Sequence, residues 1–153
     1  MKRIEVRLSL SVVAPLLDVI KSASQSLQQN LAAPLAMSDL DPEFREDWTA
    51  ELQLGQASDV SVLLALFDEN FFSESVIGLD ATNAEPVVRA CAAVRLRLRE
   101  KYLKSLDDEI LESSDVELEQ LEEPIRKAFM CYLFLATLQE LIIQHLDSTI
   151  IES

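Results

Sequence analysis

Glycine is nearly absent from this chain: Gly55 and Gly78 are the only two in 153 residues. Glycine supplies the positive φ that tight hairpins and phosphate-cradling loops require, and helix interiors avoid it. Its scarcity excludes Gly-rich nucleotide loops and points to a mainly α-helical chain. Histidine is scarcer, with His145 alone. The Glu-x-x-His pattern of di-iron bundles fails, because Ile142 stands three residues before His145. Cysteine is limited to Cys91 and Cys131, each inside an apolar helical stretch and neither in a CxxC pair. Both are expected to be reduced core residues, since a free thiol packs as a small hydrophobe. No Walker, GxSxG or HExxH motif occurs, so no catalytic residue, metal or cofactor is assigned.

Positive charge is also in short supply. Thirteen Lys plus Arg face 27 Asp plus Glu, for a formal net charge of -14. Affinity for a phosphate backbone comes from cations that displace counterions, so nucleic acid is not an expected partner, and an anionic membrane surface is disfavoured for the same reason. A basic protein partner is allowed.

Apolar residues, by contrast, are plentiful at 49%. A chain of this length can bury a core without disulfides or metals. No internal repeat and no Gly/Ser/Pro-rich linker interrupts it, so 1–153 is expected to be a single helical domain. Glu5 and Arg7 interrupt any apolar leader, and the uncharged apolar stretch 128–138 is too short to span a bilayer, so a cytoplasmic protein is expected.

Residues 2–10 alternate, with Ile4, Val6, Leu8 and Leu10 on one side and Arg3, Glu5, Arg7 and Ser9 on the other. Period two predicts a half-buried strand, and 75–79 is its best partner for a short N-terminal β-ribbon. A helix starts near 11–13, with Pro15 in its first turn. Asp41-Pro42 looks like an N-cap with proline at the first helical position, and Gly55 looks like the end of that helix. Ser58 or Asp59 then opens a third helix. Trp48 and Phe44, four residues apart, are expected in the core. Asn83 caps a fourth helix whose Val87, Cys91, Val94, Leu98 and Tyr102 form one stripe. Ser114-x-x-Glu117 is a capping box, Pro124 kinks or restarts the last helix, and that helix is apolar all round over 128–138. The expected fold is a five-helix bundle with a central C-terminal helix.

Charge changes sign abruptly between the last two helices. Five cations lie in 95–104, and nine carboxylates with no cation follow in 107–123. Cations ending one helix and carboxylates opening the next both complement helix dipoles. Arg95 and Arg99 fall one turn apart beside the apolar stripe, where they could also hold an anionic group. Arg95 lies close enough to the apolar arc to need a partner, such as Glu43, Glu46 or Glu51, or Glu140 on the last helix. Arg97, Lys101 and Lys104 fall on the opposite edge. The acidic run lacks EF-hand spacing and any glycine for its turn. It could instead present residues 107–123 to a basic protein, as an acidic antagonist would.

Three segments, EFREDWTAEL from Glu43, VRLRLREKY from Val94 and YLFLATLQELI from Tyr132, together resemble an uncharacterised helical bacterial family best represented in actinobacteria. Its corresponding segments read EFR…L, LRLxLGxRL and W/Y-L-x-x-L-Q-E. Arg95, Leu96, Leu98 and Leu138-Gln139-Glu140 match. Lys101 stands where the family has arginine, Arg99 replaces a glycine, and the tryptophans of the last helix are missing. The resemblance covers roughly 39–146. It implies no known activity. Genes of that family often lie beside one for a ClpS-type protease adaptor, which implies a link to protein quality control. The function expected is a non-enzymatic protein-interaction or regulatory module with a protein partner, and a homodimer is allowed. The rival is a small-ligand binder or enzyme using Arg95 and Arg99.

Overall fold

The computed structural model describes residues 3–27, 42–104, 106 and 121–152, and the side chains of all of these except 42–45 and 146–152. The chain is mainly helical, with one two-stranded antiparallel sheet. Strand β1, Arg3–Arg7, pairs with β2, Val76–Asp80, in the register Ile4↔Leu79, Glu5↔Gly78 and Val6↔Ile77. Ile4 and Val6 are half-buried and Arg3, Glu5 and Arg7 exposed, as the alternation requires. Leu8 donates its N–H to Ser75 O at 2.8 Å and extends the ribbon by one pair.

Helix α1, Leu10–Leu27, begins earlier than expected, with Ser9 O accepting from the N–H groups of Val12 and Val13. Pro15 therefore sits in the second turn. It is exposed, and so is Ser11, whose carbonyl loses its helical donor to the proline and can turn to water.

The largest departure from expectation is α2, Pro42–Ala65. It runs unbroken through Gly55 and merges the two helices expected at 42–54 and from 58, so four long helices stand among the described residues where five were expected. Gly55 has no positive φ, and nothing lies within 4 Å of where its Cβ would be. One exposed helical glycine costs about 1 kcal/mol, less than a second pair of caps and an ordered loop would demand. A six-residue helix, α3, Glu69–Glu74, follows. Asp68 caps it by accepting from the N–H groups of Asn70 and Phe71 at 3.0 and 3.2 Å. Ser75 closes it at φ 61, the left-handed conformation usually given to glycine.

Helix α4, Ala84–Lys101, presents the expected stripe: Val87, Cys91, Val94 and Leu98 are fully buried and Tyr102 half-buried. The last helix, α5, Ile125–Glu152, begins directly after Pro124 and runs past the end expected for it near 146. The capping box at 114–117 lies outside the described residues.

The central helix is α4 rather than α5, because α4 packs against α1, α2 and α5 together. Small residues at Ala84, Ala90 and Cys91 let those neighbours approach. In α5 the fully enclosed residues follow one face through Ala128, Phe129, Cys131, Leu135, Leu138 and Ile142, while Met130, Leu133, Phe134 and Ala136 are half-exposed. An apolar sequence all round thus gives a one-sided burial. The stretch Ile125–His145, 21 residues with mean hydropathy 1.2, is long and apolar enough to cross a membrane by length and composition. In the fold its enclosed face closes the core against α4 and α1.

Candidate functional site

The arginine singled out by its helical position is engaged by α5. Arg95 Nη1 donates to Gln139 Oε1 at 2.6 Å, and the guanidinium lies over the Tyr132 ring, 4.4 Å from its centroid. Gln139 Nε2 in turn donates to the backbone carbonyl of Val88 at 3.0 Å. One carboxamide thus joins the Arg95 side chain to the backbone of α4, and its orientation is fixed by having a donor and an acceptor to satisfy. Arg95 Nε is buried without a hydrogen-bond partner, and the charge rests on the ring face instead. Among the described side chains, a neutral amide stands in place of the expected carboxylate partner, and Glu43 lies outside them. Glu140, the candidate on the last helix, is exposed and accepts from Gln144 at 3.2 Å. Successive helical residues lie about 100° apart, so only one of Gln139 and Glu140 can face α4.

Arg99, expected beside Arg95, is half-buried and engaged in an interaction of its own. Arg97, on the opposite edge of the stripe, has a side chain only 13% exposed that lies 3.6 Å from Glu100. Cys91 and Cys131 are both buried and free. Burial pushes each thiol up to about 12, against which the nearby Arg95 charge is a minor effect at Cys91. Such thiols are protonated and inert at neutral pH.

Two polar clusters carry no signal that residue types alone reveal. Arg89 of α4 grips Asp59 of α2 with two hydrogen bonds of 3.0 Å and also reaches Glu85 at 2.8 Å. The Glu85–Arg89 spacing is visible in sequence, but Asp59 is thirty positions away and looked like a helix cap. Asp80 organises the turn from β2 into α4. It accepts from Thr82 Oγ1 at 2.5 Å and from the N–H groups of Thr82 and Asn83 at 2.9 and 3.2 Å. The Thr82 hydroxyl is the main reason its carboxyl lies below the usual range, and Arg3, 3.8 Å away, adds to the effect. Asn83 occupies the expected N-cap position, but its side chain turns back to β2 instead of capping α4. There it accepts from Asp80 N–H at 2.9 Å and donates to Gly78 O at 3.0 Å.

The ribbon borders two concavities. A cleft of about 430 Å³ lies between its polar face and the α2–α3 corner, with Arg3, Glu5, Asp68, Glu74 and Asn83 in its walls. A shallower groove of about 330 Å³ runs between β1 and Leu141 and His145 of α5. Neither is lined by Arg95 or Arg99. Among the described residues, no cluster of three His, Cys, Asp or Glu side chains could hold a metal ion.

Among the described side chains, no residue of α2 from Glu46 to Asp59 is fully buried. Trp48 and Leu52, one turn apart, are 46% and 39% exposed, and Leu54 is 74% exposed. The core position expected for Trp48 is therefore wrong. Among the described side chains of α2, fully buried positions begin at Val60 and continue with Leu63. Phe44 is among the residues whose side chains are outside the description.

No protein-family model, curated protein or solved structure matches the chain.

Proposed function

We propose that this chain is a non-enzymatic protein-interaction module that docks a protein partner on the exposed stretch of α2 around Trp48. The observation that carries this reading is the exposed Trp48–Leu52 pair. Tryptophan is enriched where binding energy concentrates, and a solvent-facing indole one turn from a leucine offers a ready anchor. The surrounding surface is acidic, with Glu46, Asp47 and Glu51 exposed on the same stretch, which favours a partner with a basic rim. The family resemblance adds the protein quality-control machinery as a setting. Two buried reduced thiols favour a reducing compartment, and we propose the cytoplasm.

This reading ranks above an anion site at Arg95 and Arg99 because the Arg95 guanidinium is already occupied by Gln139 and Tyr132. An acidic antagonist would act through 107–123, of which 107–120 lie outside the described residues.

The test is affinity capture from native cytoplasm with the parent chain and a Trp48→Ala/Leu52→Ala variant, followed by mass spectrometry. Both side chains are exposed, so the variant should melt within about half a kcal/mol of the parent. A partner retained by the parent and lost by the variant is expected. Identical captured sets would remove α2 as the docking face.

A further inference from the structure

We infer that two copies of this chain pair through the free edge of β1, antiparallel, about a two-fold axis at Val6. This inference does not depend on the docking role given to α2.

The two edges of the ribbon are not alike. Leu8 N–H bonds to Ser75 O, and these residues are directly opposite in the observed register. In an antiparallel ladder, directly opposite residues alternate between bonded and non-bonded pairs. The even residues of β1 therefore bond to β2, and the backbone N–H and C=O of Arg3, Glu5 and Arg7 point outward. On β2 the outward groups belong to Val76, Gly78 and Asp80, and the Asn83 carboxamide takes two of them at one end, accepting from Asp80 N–H and donating to Gly78 O as a neighbouring strand would. The β2 edge is closed there. Among the described residues nothing pairs with the β1 edge. A two-stranded ribbon with an open edge is a template for a further strand.

A hollow opens beside that edge. The groove of about 330 Å³ is lined by Ile4, Glu5, Val6 and Arg7 in succession, together with Leu141 and His145. Consecutive strand residues point to opposite faces. A hollow that touches all four follows the strand edge and not one face.

The sequence of the edge selects its occupant. Residues 3–9 read RIEVRLS. Folded back on a second copy about Val6, they oppose Ile4 to Leu8, Val6 to Val6 and Glu5 to Arg7, with the symmetric partners repeated. Apolar side chains meet apolar ones on the half-buried face, and each carboxylate meets a guanidinium on the exposed face. The odd residues, whose backbone groups point outward, pair only with odd residues, as the ladder demands. Centring the axis one residue earlier, on Glu5, would set Glu5 against Glu5 and Arg3 against Arg7, which opposes like charges. The pattern is complementary to itself at one position and repulsive at the next, and pairing there converts the ribbon into a four-stranded sheet.

Sedimentation equilibrium of the whole chain should show a dimer that dissociates on dilution. Glu5→Arg and Arg7→Glu should each raise the dissociation constant about tenfold or more, because each sets like charges opposite at two symmetric positions. Mixed together, the two variants should recover association as a heterodimer, since a cationic edge then meets an anionic one. Glu5 and Arg7 are exposed, so neither variant should shift the melting midpoint of dilute monomer. A parent chain that sediments as a monomer at every concentration overturns the inference. So does a dimer indifferent to both substitutions, or a mixture no tighter than either variant alone.

Discussion

Arg95 carries a full charge into a helix–helix contact and, among the described residues, meets an amide and an aromatic ring there instead of a carboxylate. That makes its two partners unequal to a mutation. Removing Gln139 leaves the guanidinium half-buried with a lost acceptor, whereas removing Arg95 leaves only a neutral carboxamide to find another donor. Losing a hydrogen bond to a charged group costs about 1.5–3 kcal/mol, and a neutral one about half that. Gln139→Leu is therefore expected to cost ~2–3 kcal/mol, and Arg95→Met ~1–2 kcal/mol. The double variant should cost little more than Arg95→Met alone, because without the charge the amide has no essential task on that side. Urea melts of the three variants measure this. A Gln139→Leu chain within about half a kcal/mol of the parent would show that the charge is solvated by another route. An ion pair would have given the opposite symmetry, with either single removal strongly destabilising.

At the scale of elements, the merger of two expected helices into α2 rests on Gly55. If that glycine ended a helix in a left-handed conformation, alanine there would be strained and destabilising. In a continuous exposed helix with open space around it, Gly55→Ala should stabilise the chain by ~0.5–1 kcal/mol. A rise in the denaturation midpoint supports the unbroken helix, and a fall restores the break. The local signals for that break, a glycine followed by Ser58 and Asp59, were satisfied differently: Asp59 is drawn into the bidentate contact with Arg89. What was legible in sequence were the periodic segments. The alternation of 2–10 and the four-three-four spacing from Val87 to Leu98 each depend on one neighbour covering one face; the strand forms over Arg3–Arg7, with Leu10 taken into α1, and the stripe is buried as expected. What was not legible depended on which neighbour covers what. The uniform apolarity of α5 could not say that only one face would be enclosed. The Phe44–Trp48 spacing could not say that Trp48 would be exposed. Of the four carboxylates expected to serve Arg95, three stood on α2 and only Glu140 on the helix that meets it, one residue from the Gln139 that does, because helical phase and side-chain chemistry had to be satisfied together.

For the molecule as a whole, the dominant electrostatic fact is the excess of 27 carboxylates over 13 cationic side chains. Salt weakens attraction and repulsion alike, so its net effect depends on which is more exposed and more numerous. Among the described residues, most ion pairs involve an exposed cation. Arg89 is 51% exposed in its contacts with Asp59 and Glu85, Arg3 is 60% exposed beside Asp80, and Arg126 is 37% exposed beside Glu123. Exposed pairs of this kind contribute about 0–1 kcal/mol each, and the bidentate Arg89–Asp59 contact belongs at the upper end. Self-repulsion from a net charge of -14 acts among many carboxylates at once and reaches beyond contact distance at low ionic strength, where the Debye length is about 20–30 Å. Repulsion has more to lose. Raising NaCl from about 0.02 M to about 0.3 M shortens that length to about 6 Å and should raise the melting midpoint by a few degrees. The same step should have a smaller effect near pH 4.3, where the net charge vanishes and only the pairs remain to be screened. A midpoint that falls with salt at neutral pH would mean that the few surface pairs outweigh the surplus charge, and that the acidity of this chain does not oppose its compact state.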